Sequence, residues 1–326
     1  MMAEPAGRGA VRSYVEVARP DHWVKNVFML LGVLLAFFYH PGPPSLRLAG
    51  PLALAIAAVC LVASSNYALN ELLDGPTDRA HPLKRHRPVP SGRVRPPLVV
   101  LEWLLLALGG LGMAVLVNWP FAAAALGLWL MGIVYNVPPL RTKEWPYLDV
   151  LTESMNNPLR LVMGWFVVIP GQVPPVSLTL AYWMLGAFFM AVKRLAEYRR
   201  FADAESAAAY RRSFAHYTVE RLLVGIVFYA TVSALFAGIF IVRYRLELIL
   251  AVPLLAGLFA FYLRMGFKPD SAAEHPERLH RESGLMLYLA ACLAVVIVLM
   301  LTDLPFLYRW FRVEPITVSP LWTIGR

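Results

Sequence analysis

The chain is 326 residues long, and 59% of its residues are hydrophobic while only 16% are charged. This composition, with a mean hydropathy of +0.58, excludes an ordinary soluble globular protein and indicates a polytopic membrane protein. A net charge of +9 could point to nucleic acid, but in a membrane protein it is typical of basic cytoplasmic loops, so we expect no nucleic-acid partner. Cys60 and Cys292 both lie inside apolar stretches, which argues against a disulfide framework and a cysteine metal site.

The first 22 residues are polar and lack the apolar core of a signal peptide, so we interpret 1–22 as a polar N-terminal tail. A membrane helix needs about 20 apolar residues. We predict nine such helices within a single transmembrane domain over 1–326, with eight or ten as alternatives. The predicted spans are 24–40, 48–73, 97–117, 119–136, 148–169, 176–195, 219–242, 246–265 and 284–304.

Basic residues are concentrated in alternate loops. The connections 40–45, 118–120 and 169–175 carry almost none. The positive-inside rule therefore predicts a protein of the inner (cytoplasmic) membrane with a cytoplasmic N-terminus and a C-terminus outside. The basic residues on the predicted cytoplasmic side are Arg8, Arg12 and Arg19, then Arg79, Lys84, Arg85, Arg87, Arg93 and Arg95, then Lys193, Arg194, Arg199, Arg200, Arg211 and Arg212, and finally Lys268, Arg278 and Arg281.

The second predicted span ends in closely spaced polar side chains. Asn66, Asn70 and Asp74 are separated by four residues each, which places them on one face of a helix. Because proline disrupts a helix interior, Pro76 predicts that this helix ends near Asp74 and that Asp78 reaches back from a loop.

A basic run follows these acids at once. The carboxylates of Asp74 and Asp78 are suited to Mg²⁺, which binds oxygen ligands and bridges to substrate phosphates. Lys84, Arg85 and Arg87 are suited to the remaining negative charge of a phosphate or pyrophosphate. The alternative, a solvated helix end with a capping role, does not account for three oxygen-bearing side chains on one face.

A second polar face begins the fifth predicted span. Asp149, Glu153 and Asn157 also step by four, and Arg160 follows about one turn deeper. Two carboxylates this close repel each other unless a cation or a basic group compensates them, so we predict a second Mg²⁺-binding face here. The alternative is a favourable interaction of first-turn acids with the helix dipole, which accounts for Asp149 but not for the deeper residues.

A third polar group, Lys193, Arg194 and Glu197, ends the sixth predicted span. These bases could bind a substrate phosphate. They could equally extend toward the membrane surface while Lys193 and Glu197 form an i,i+4 ion pair. The mostly polar residues 199–218 that follow could form a cytoplasmic amphipathic helix.

The paired carboxylate motifs resemble those of the UbiA superfamily of membrane prenyltransferases. Its first motif, Asn/Asp-x-x-x-Asp-x-x-x-Asp, is matched by Asn70, Asp74 and Asp78. Its second, Asp-x-x-x-Asp, is matched by Asp149 and, with glutamate in place of the second aspartate, by Glu153. The resemblance implies an all-α UbiA-like bundle with a polar active-site cavity on the cytoplasmic side.

Within the superfamily, three segments look closest to polyprenyl-phosphate phosphoribosyltransferases, such as the decaprenyl-phosphate enzymes. They are Arg19-Pro20-x-x-Trp23-Val24-Lys25-Asn26, Asp78-Arg79-x-His81-Pro82-x-Lys84-Arg85-x-Arg87-Pro88 and Lys193-Arg194-x-Ala196-Glu197.

The resemblance and the residues together predict a Mg²⁺ site and a surrounding substrate site. The catalytic and metal-binding residues are expected to be Asp74, Asp78, Asp149 and Glu153. The substrate-binding residues are expected to be Lys25, Asn26, Asn70, Lys84, Arg85, Arg87, Asn157, Arg160, Lys193 and Arg194.

Three functions are weighed on this basis. The favoured one is phosphoribosyl transfer from phosphoribosyl pyrophosphate to a polyprenyl phosphate, because the many bases suit substrates rich in phosphate. The alternative is prenyl transfer from a prenyl diphosphate to an aromatic or other apolar acceptor. A non-catalytic transporter is a third reading, although its polar groups would be expected nearer the bilayer midplane.

Overall fold

A computed structural model describes residues 6–40, 46–79, 84–268, 271–274, 279, 281–314, 321 and 323–324. The regular elements in these ranges are helices, so the all-α prediction is confirmed. The α-helices are α1 (Ala6–Ala18), α2 (Met29–Phe37), α3 (Ala49–Asp78), α4 (Pro96–Val117), α5 (Trp119–Asn136), α6 (Leu148–Ser154), α7 (Asn156–Val168), α8 (Val176–Tyr198), α9 (Ala204–Tyr210), α10 (Val219–Tyr244), α11 (Val252–Gly266), α12 (Ser283–Leu301) and α13 (Pro305–Phe311).

Within the described residues, seven helical segments are long and apolar enough to cross a membrane. They coincide with seven of the nine predicted spans. The other two predicted spans contain shorter elements: 24–40 holds the second half of a 3₁₀-helix (Pro20–Phe28) followed by α2, and 148–169 holds α6 and α7. The seven candidates are Leu46–Asp78, Pro96–Val117, Trp119–Asn136, Val176–Tyr198, Val219–Tyr244, Leu246–Gly266 and Ser283–Leu301.

The end of α3 corrects one prediction. The helix does not stop near Asp74 but runs through Pro76 to Asp78. Pro76 removes one backbone N–H donor, but the last turn stays closed because the N–H of Arg79 donates to the Gly75 carbonyl at 3.3 Å. Asp78 therefore lies on the same helix as Asp74, one turn further on, and not in a loop.

The structure of the fifth predicted span corrects a second prediction. It is broken at Met155, where α6 ends and α7 begins. Pro158 has no N–H to donate to the Ser154 carbonyl, and proline is well tolerated in the first turn of a new helix. The prediction of one continuous face from Asp149 to Arg160 is therefore wrong, because Asn157 and Arg160 belong to α7 while Asp149 belongs to α6.

The chain divides into two compact units, which are described separately. The first comprises Met1–Lys143 and Leu159–Gln172, and the second comprises Glu144–Pro158 and Val173–Arg326. That all of 1–326 acts as one transferase domain stays a prediction.

In the first unit, α3 packs against both α4 and α5. A glycine pair brings α2 and α7 together: a Cβ at Gly32 would lie 1.8 Å from the Leu161 carbonyl oxygen, and one at Gly164 would lie 1.9 Å from that of Met29. Small residues permit this backbone-to-backbone approach of membrane helices. The polar tail also folds, since it contains α1.

In the second unit, α8 packs against α10, and both contribute to a core that includes Phe188, Leu195 and Ile226. Residues 199–218 do not form one amphipathic helix. They form the short helix α9 and a 3₁₀-helix, Arg212–His216, and Phe214 of the latter is fully buried in the same core. Burial of this ring draws the segment inward instead of leaving it as a surface helix.

Candidate active site

The first unit holds Asp74 in the penultimate turn of α3, with two basic side chains on its carboxylate. Lys143 Nζ donates to Asp74 Oδ1 at 2.5 Å, and Arg141 Nη2 donates to the same oxygen at 3.1 Å. Lys143 also donates to Asn136 Oδ1, at the end of α5, at 2.9 Å. Asp74 is therefore held by the loop that follows α5.

Asp78 has a second pair of bases. Arg87 Nη1 donates to Asp78 Oδ2 at 3.2 Å, and Lys84 Nζ lies 3.7 Å from Asp78 Oδ1. We define the first cluster as these two acids with the four bases around them: Asp74, Asp78, Lys84, Arg87, Arg141 and Lys143. Two carboxylates against four bases give it a formal charge of +2, which suits a polyanionic ligand.

Two of these bases, Arg141 and Lys143, were missed by sequence reasoning. A signal was available, because both follow the polar Asn136 immediately after an apolar span. Arg85, by contrast, was expected in the site, but its Nε donates to His86 Nε2 at 3.3 Å and the contact is exposed. His81 and Pro82, in the matched basic segment, lie outside the described residues.

Other predicted residues of the first unit have mixed surroundings. Asn70 lies on α3 one turn before Asp74 and is half-buried. Asn66, a further turn away, donates to the Leu128 carbonyl at 2.9 Å, so it joins α3 to α5. Arg160 Nε donates to the buried Asn26 Oδ1 at 3.0 Å, and Lys25 Nζ lies 3.3 Å from His22 Nδ1.

The second unit holds three carboxylates around one guanidinium. Arg194 on α8 is fully buried and contacts Glu153 at 2.6 Å, Asp149 at 3.0 Å and Glu197 at 3.1 Å. Lys193 Nζ adds the expected i,i+4 ion pair with Glu197 at 3.9 Å. The repulsion expected between Asp149 and Glu153 is thus relieved by a base from the protein itself.

Asp149 has further partners from the segment after α8. Tyr217 Oη donates to Asp149 Oδ1 at 2.7 Å, Ser213 Oγ donates to Oδ2 at 3.3 Å, and Arg211 Nη1 lies 3.9 Å from Oδ2. We define the second cluster as the three acids with these residues and the α8 bases: Asp149, Glu153, Lys193, Arg194, Glu197, Arg211, Ser213 and Tyr217. Sequence reasoning missed Arg211, Ser213 and Tyr217.

Tyr217 connects Asp149 to the backbone. Its hydroxyl accepts from the Tyr147 N–H at 2.6 Å while donating to Asp149. Tyr147 itself has a φ of 65°, an uncommon conformation for a residue with a side chain. Burial and the negative charge of Asp149 raise the pKa of Tyr217 well above its usual value, so its hydroxyl stays a proton donor over the physiological range.

Asn157 is the remaining predicted substrate ligand. It lies in the first turn of α7 and is half-buried against α8, where a Cβ on Gly186 would come within 2.7 Å of its Nδ2. Its position therefore depends on the absence of a side chain at Gly186.

Residues 27–280 match the model of the UbiA prenyltransferase family. The chain belongs to this family.

Relatives and solved structures of the family add detail. The decaprenyl-phosphate phosphoribosyltransferase of Mycolicibacterium smegmatis is 29% identical over 65% of this chain, and the match spans 64% of that protein's length. The protoheme IX farnesyltransferase of Korarchaeum cryptofilum is 33% identical over 43% of this chain and 46% of its own length. A UbiA homologue from Archaeoglobus fulgidus, whose structure was determined with GPP and Mg²⁺, has a TM-score of 0.66 at 20% identity, covering 89% of this chain and all of that one. The neighbour supports the fold of this UbiA-family protein.

The donors of the first cluster fit magnesium. No group of three or more His, Cys, Asp or Glu side chains arranged for a metal occurs in the described part of this UbiA-family chain. Magnesium does not require one, since it is commonly held by one or two carboxylates together with waters and substrate phosphates. Asp74 and Asp78, one helical turn apart on α3, supply two such carboxylates.

The second cluster fits a metal less directly. Both oxygens of Asp149 already accept hydrogen bonds, and the residue has no exposed surface. Glu153 is more open, with 30% of its side chain exposed. The role of Asp149 as a metal ligand stays a prediction. The contacts of Asp149 favour a different role, in which it orients Arg194 and the segment around Tyr217.

Proposed function

We propose that this protein is a Mg²⁺-dependent integral-membrane transferase that moves a phosphoribosyl group from phosphoribosyl pyrophosphate to a polyprenyl phosphate and releases pyrophosphate. The observation that carries this proposal is the first cluster, in which four bases surround two carboxylates and leave a net positive charge. Such an arrangement suits a reaction in which several phosphate groups must be bound close together.

The basic side chains stabilise the leaving group. As the bond between the anomeric carbon and the pyrophosphate oxygen breaks, negative charge grows on pyrophosphate, and Arg87, Arg141 and Lys143 would neutralise it. A phosphate oxygen of the polyprenyl phosphate then bonds to the anomeric carbon. When bound by Asp74 and Asp78, Mg²⁺ would supply further positive charge to the pyrophosphate.

The second cluster would serve the substrates in a different way. Arg194 is fixed by three carboxylates, so we assign it and Asp149 to positioning. Glu153 and Lys193, which are partly exposed, are the members available to a substrate or to its metal. The remaining predicted ligands are Arg160, Asn157 and Lys25. Substituting each one and measuring KM for each substrate would show whether it binds phosphoribosyl pyrophosphate or the polyprenyl phosphate.

The relatives support both branches of the family's chemistry. The Mycolicibacterium relative is named for transfer to decaprenyl phosphate, which favours the phosphoribosyl branch. The Korarchaeum relative and the GPP-bound Archaeoglobus structure favour the alternative, prenyl transfer from a prenyl diphosphate to an apolar acceptor. The surplus of bases in the first cluster is the feature that favours the former, while membership of a transferase family speaks against a transporter.

We also propose nine spans in the inner membrane, counting the 24–40 and 148–169 segments with the seven long helices. The positive-inside rule then puts the N-terminus and the first cluster on the cytoplasmic side. The placement of Arg141 and Lys143 in a short loop between spans agrees with that rule. A soluble donor such as phosphoribosyl pyrophosphate would reach such a site directly.

The test is a product assay. Purified protein in detergent is incubated with Mg²⁺, phosphoribosyl pyrophosphate and a polyprenyl phosphate, and the lipid extract is analysed by mass spectrometry. We expect a mass gain of one phosphoribosyl group that is lost with EDTA. The absence of this product, with a prenyl diphosphate consumed when an aromatic acceptor is supplied, would overturn the proposal in favour of prenyl transfer.

A further inference from the structure

Helix α1 is fixed to the first unit, although the sequence shows it only as a polar tail. Val17 is fully buried with Val89, Val94 and Val99 in one apolar cluster. The Tyr14 hydroxyl accepts from the N–H of Arg95, at the start of α4, at 3.1 Å. These contacts set the position of a second face of α1, on which Val11 and Val15 are exposed among the residues that the structure describes.

That face forms one wall of an apolar cavity of about 630 Å³. Val11 and Val15 of α1 are 66% and 53% exposed, and they face the cavity together with leucines of α4. The α4 leucines begin in the first turn of a candidate membrane span, so the cavity extends along that span from its end. The remaining lining includes Trp23, Leu61, Leu98, Leu101, Leu105 and Leu106, with Tyr14 and one carboxylate, Glu102.

A charged cavity of about 580 Å³ adjoins the apolar one, and the two share Val15 and Pro20 in their linings. Its basic residues are Arg12, Arg19, Arg87 and Arg93, together with His86. Its acidic residues are Glu16, Asp21 and Glu71, which leaves a net positive charge with the histidine neutral.

Arg12 is the base best placed for a ligand. Its side chain is 80% exposed, and its contact with Glu16 is a long one of 3.5 Å through Nε. The Nη groups of Arg12 are therefore not committed to that ion pair. Arg93, by comparison, makes a shorter contact with Glu16 at 2.9 Å and also donates to the His86 carbonyl.

The basic cavity lies at the end of a span and is continuous with the apolar cavity along that span. This arrangement matches the anionic headgroup and the acyl chains of a phospholipid. Basic pockets beside membrane helices bind anionic headgroups, and acyl chains occupy apolar grooves that open to the bilayer. We propose that the α1–α4 cleft is a binding site for one anionic phospholipid of the bilayer, with its phosphate at Arg12 and Arg19 and an acyl chain against Leu101 and Leu105. The charged cavity shares Arg87 with the first cluster, but the proposed lipid contacts at Arg12 and Arg19 lie outside that cluster.

The test measures lipid binding and not turnover. Delipidated full-length protein is titrated by native mass spectrometry with phosphatidylglycerol and with phosphatidylcholine of the same acyl chains. We expect phosphatidylglycerol to bind at about a 25-fold lower concentration, since each of the two arginines near the anionic lipid contributes about fivefold.

Two variants and two matched controls locate the site. Leu105→Trp fills the apolar cavity and should weaken phosphatidylglycerol binding at least about fivefold, whereas Leu116→Trp changes an exposed leucine of the same helix outside the cavity and should leave it unchanged. Arg12→Gln should reduce the preference over phosphatidylcholine about fivefold, whereas Arg95→Gln, a base outside both linings, should leave it unchanged.

Four results would overturn the proposal. They are equal binding of the two lipids, equal effects of each variant and its control, stronger binding of a polyprenyl phosphate than of phosphatidylglycerol, and displacement of the lipid by millimolar inorganic phosphate. The third would assign the cleft to a lipid substrate, and the fourth would reduce it to a phosphate site without lipid.

Discussion

The two acidic clusters contain similar residue types but balance their charges differently. In the first cluster, two carboxylates are outnumbered by four bases that come from loops and remain partly exposed. In the second, three carboxylates converge on one fully buried guanidinium from α8. The first is therefore an excess of positive charge open to a ligand, and the second is a compensated network whose charges are mostly satisfied within the protein.

The two matching acidic motifs suggest one shared role, but this difference in charge balance indicates two roles: ligand binding in the first cluster and positioning in the second. A surplus of bases can be neutralised by pyrophosphate, so binding relieves their mutual repulsion. A buried and compensated network gains little from a ligand and instead fixes the positions of its members. The predictions below test this contrast, in order of decreasing effect.

Arg194→Met should produce the largest change in stability. It leaves Asp149, Glu153 and Glu197 without their shared partner, and breaking a buried ion pair from one side typically costs about 3–5 kcal/mol. Thermal unfolding in detergent measures the loss. Arg141→Met is the matched control in the first cluster, where Asp74 retains Lys143. Equal destabilisation by the two substitutions would contradict the contrast.

Tyr217→Phe should have the next largest effect. It removes a buried donor to Asp149 and a buried acceptor for the Tyr147 N–H, and an unsatisfied buried group costs about 1–3 kcal/mol. Denaturant or thermal unfolding gives the difference. A value near zero would show that Tyr217 does not secure Asp149.

The same tyrosine predicts a dependence on pH. Its pKa is raised in the folded state, so the folded protein retains a proton that the unfolded chain releases as pH rises past the ordinary tyrosine value of 10.0. The stability that it contributes is thus fully present below that pH and is lost at higher pH. The free energy of unfolding should therefore fall more steeply above about pH 10 for the wild type than for Tyr217→Phe. Parallel plots of stability against pH for the two proteins would contradict the prediction.

Lys143→Met should impair use of the donor and should destabilise the fold less than Arg194→Met does. Asp74 keeps Arg141, but the buried Asn136 Oδ1 loses its donor, so we expect the stability to fall by about 1–3 kcal/mol. The lost positive charge should lower kcat/KM for phosphoribosyl pyrophosphate by about tenfold or more. Steady-state kinetics measure this, with Lys268→Met, an exposed base of the second unit, as the control. A loss of stability without a kinetic effect would make Lys143 a structural residue.

The four-residue spacing of polar side chains was enough to predict both acidic motifs, and the length of the apolar stretches was enough to predict the seven long helices. It succeeded because spacing along one helix determines which side chains share a face. Asn66, Asn70 and Asp74 on α3, and Lys193 with Glu197 on α8, are sets of this local kind.

The failures have two physical causes. Proline effects depend on position: Pro76 was expected to end a helix that continues, and Pro158 begins a new helix within a predicted single span. The partners Lys143, Ser213 and Tyr217 come from loops whose path is determined by tertiary packing, such as the burial of Phe214. No periodicity in the sequence encodes those long-range contacts.

The most direct test of the account is turnover of Asp74→Asn in the lipid product assay, compared with Asp303→Asn. Asp303 is a carboxylate of the second unit that forms an ion pair with Arg245, and its side chain is 83% exposed. We predict that Asp74→Asn loses at least about a hundredfold in rate, as expected when a charge that organises the leaving group is removed, while its unfolding temperature and that of Asp303→Asn stay near the wild-type value. Retained turnover in folded Asp74→Asn protein would contradict the assignment of the first cluster as the catalytic centre.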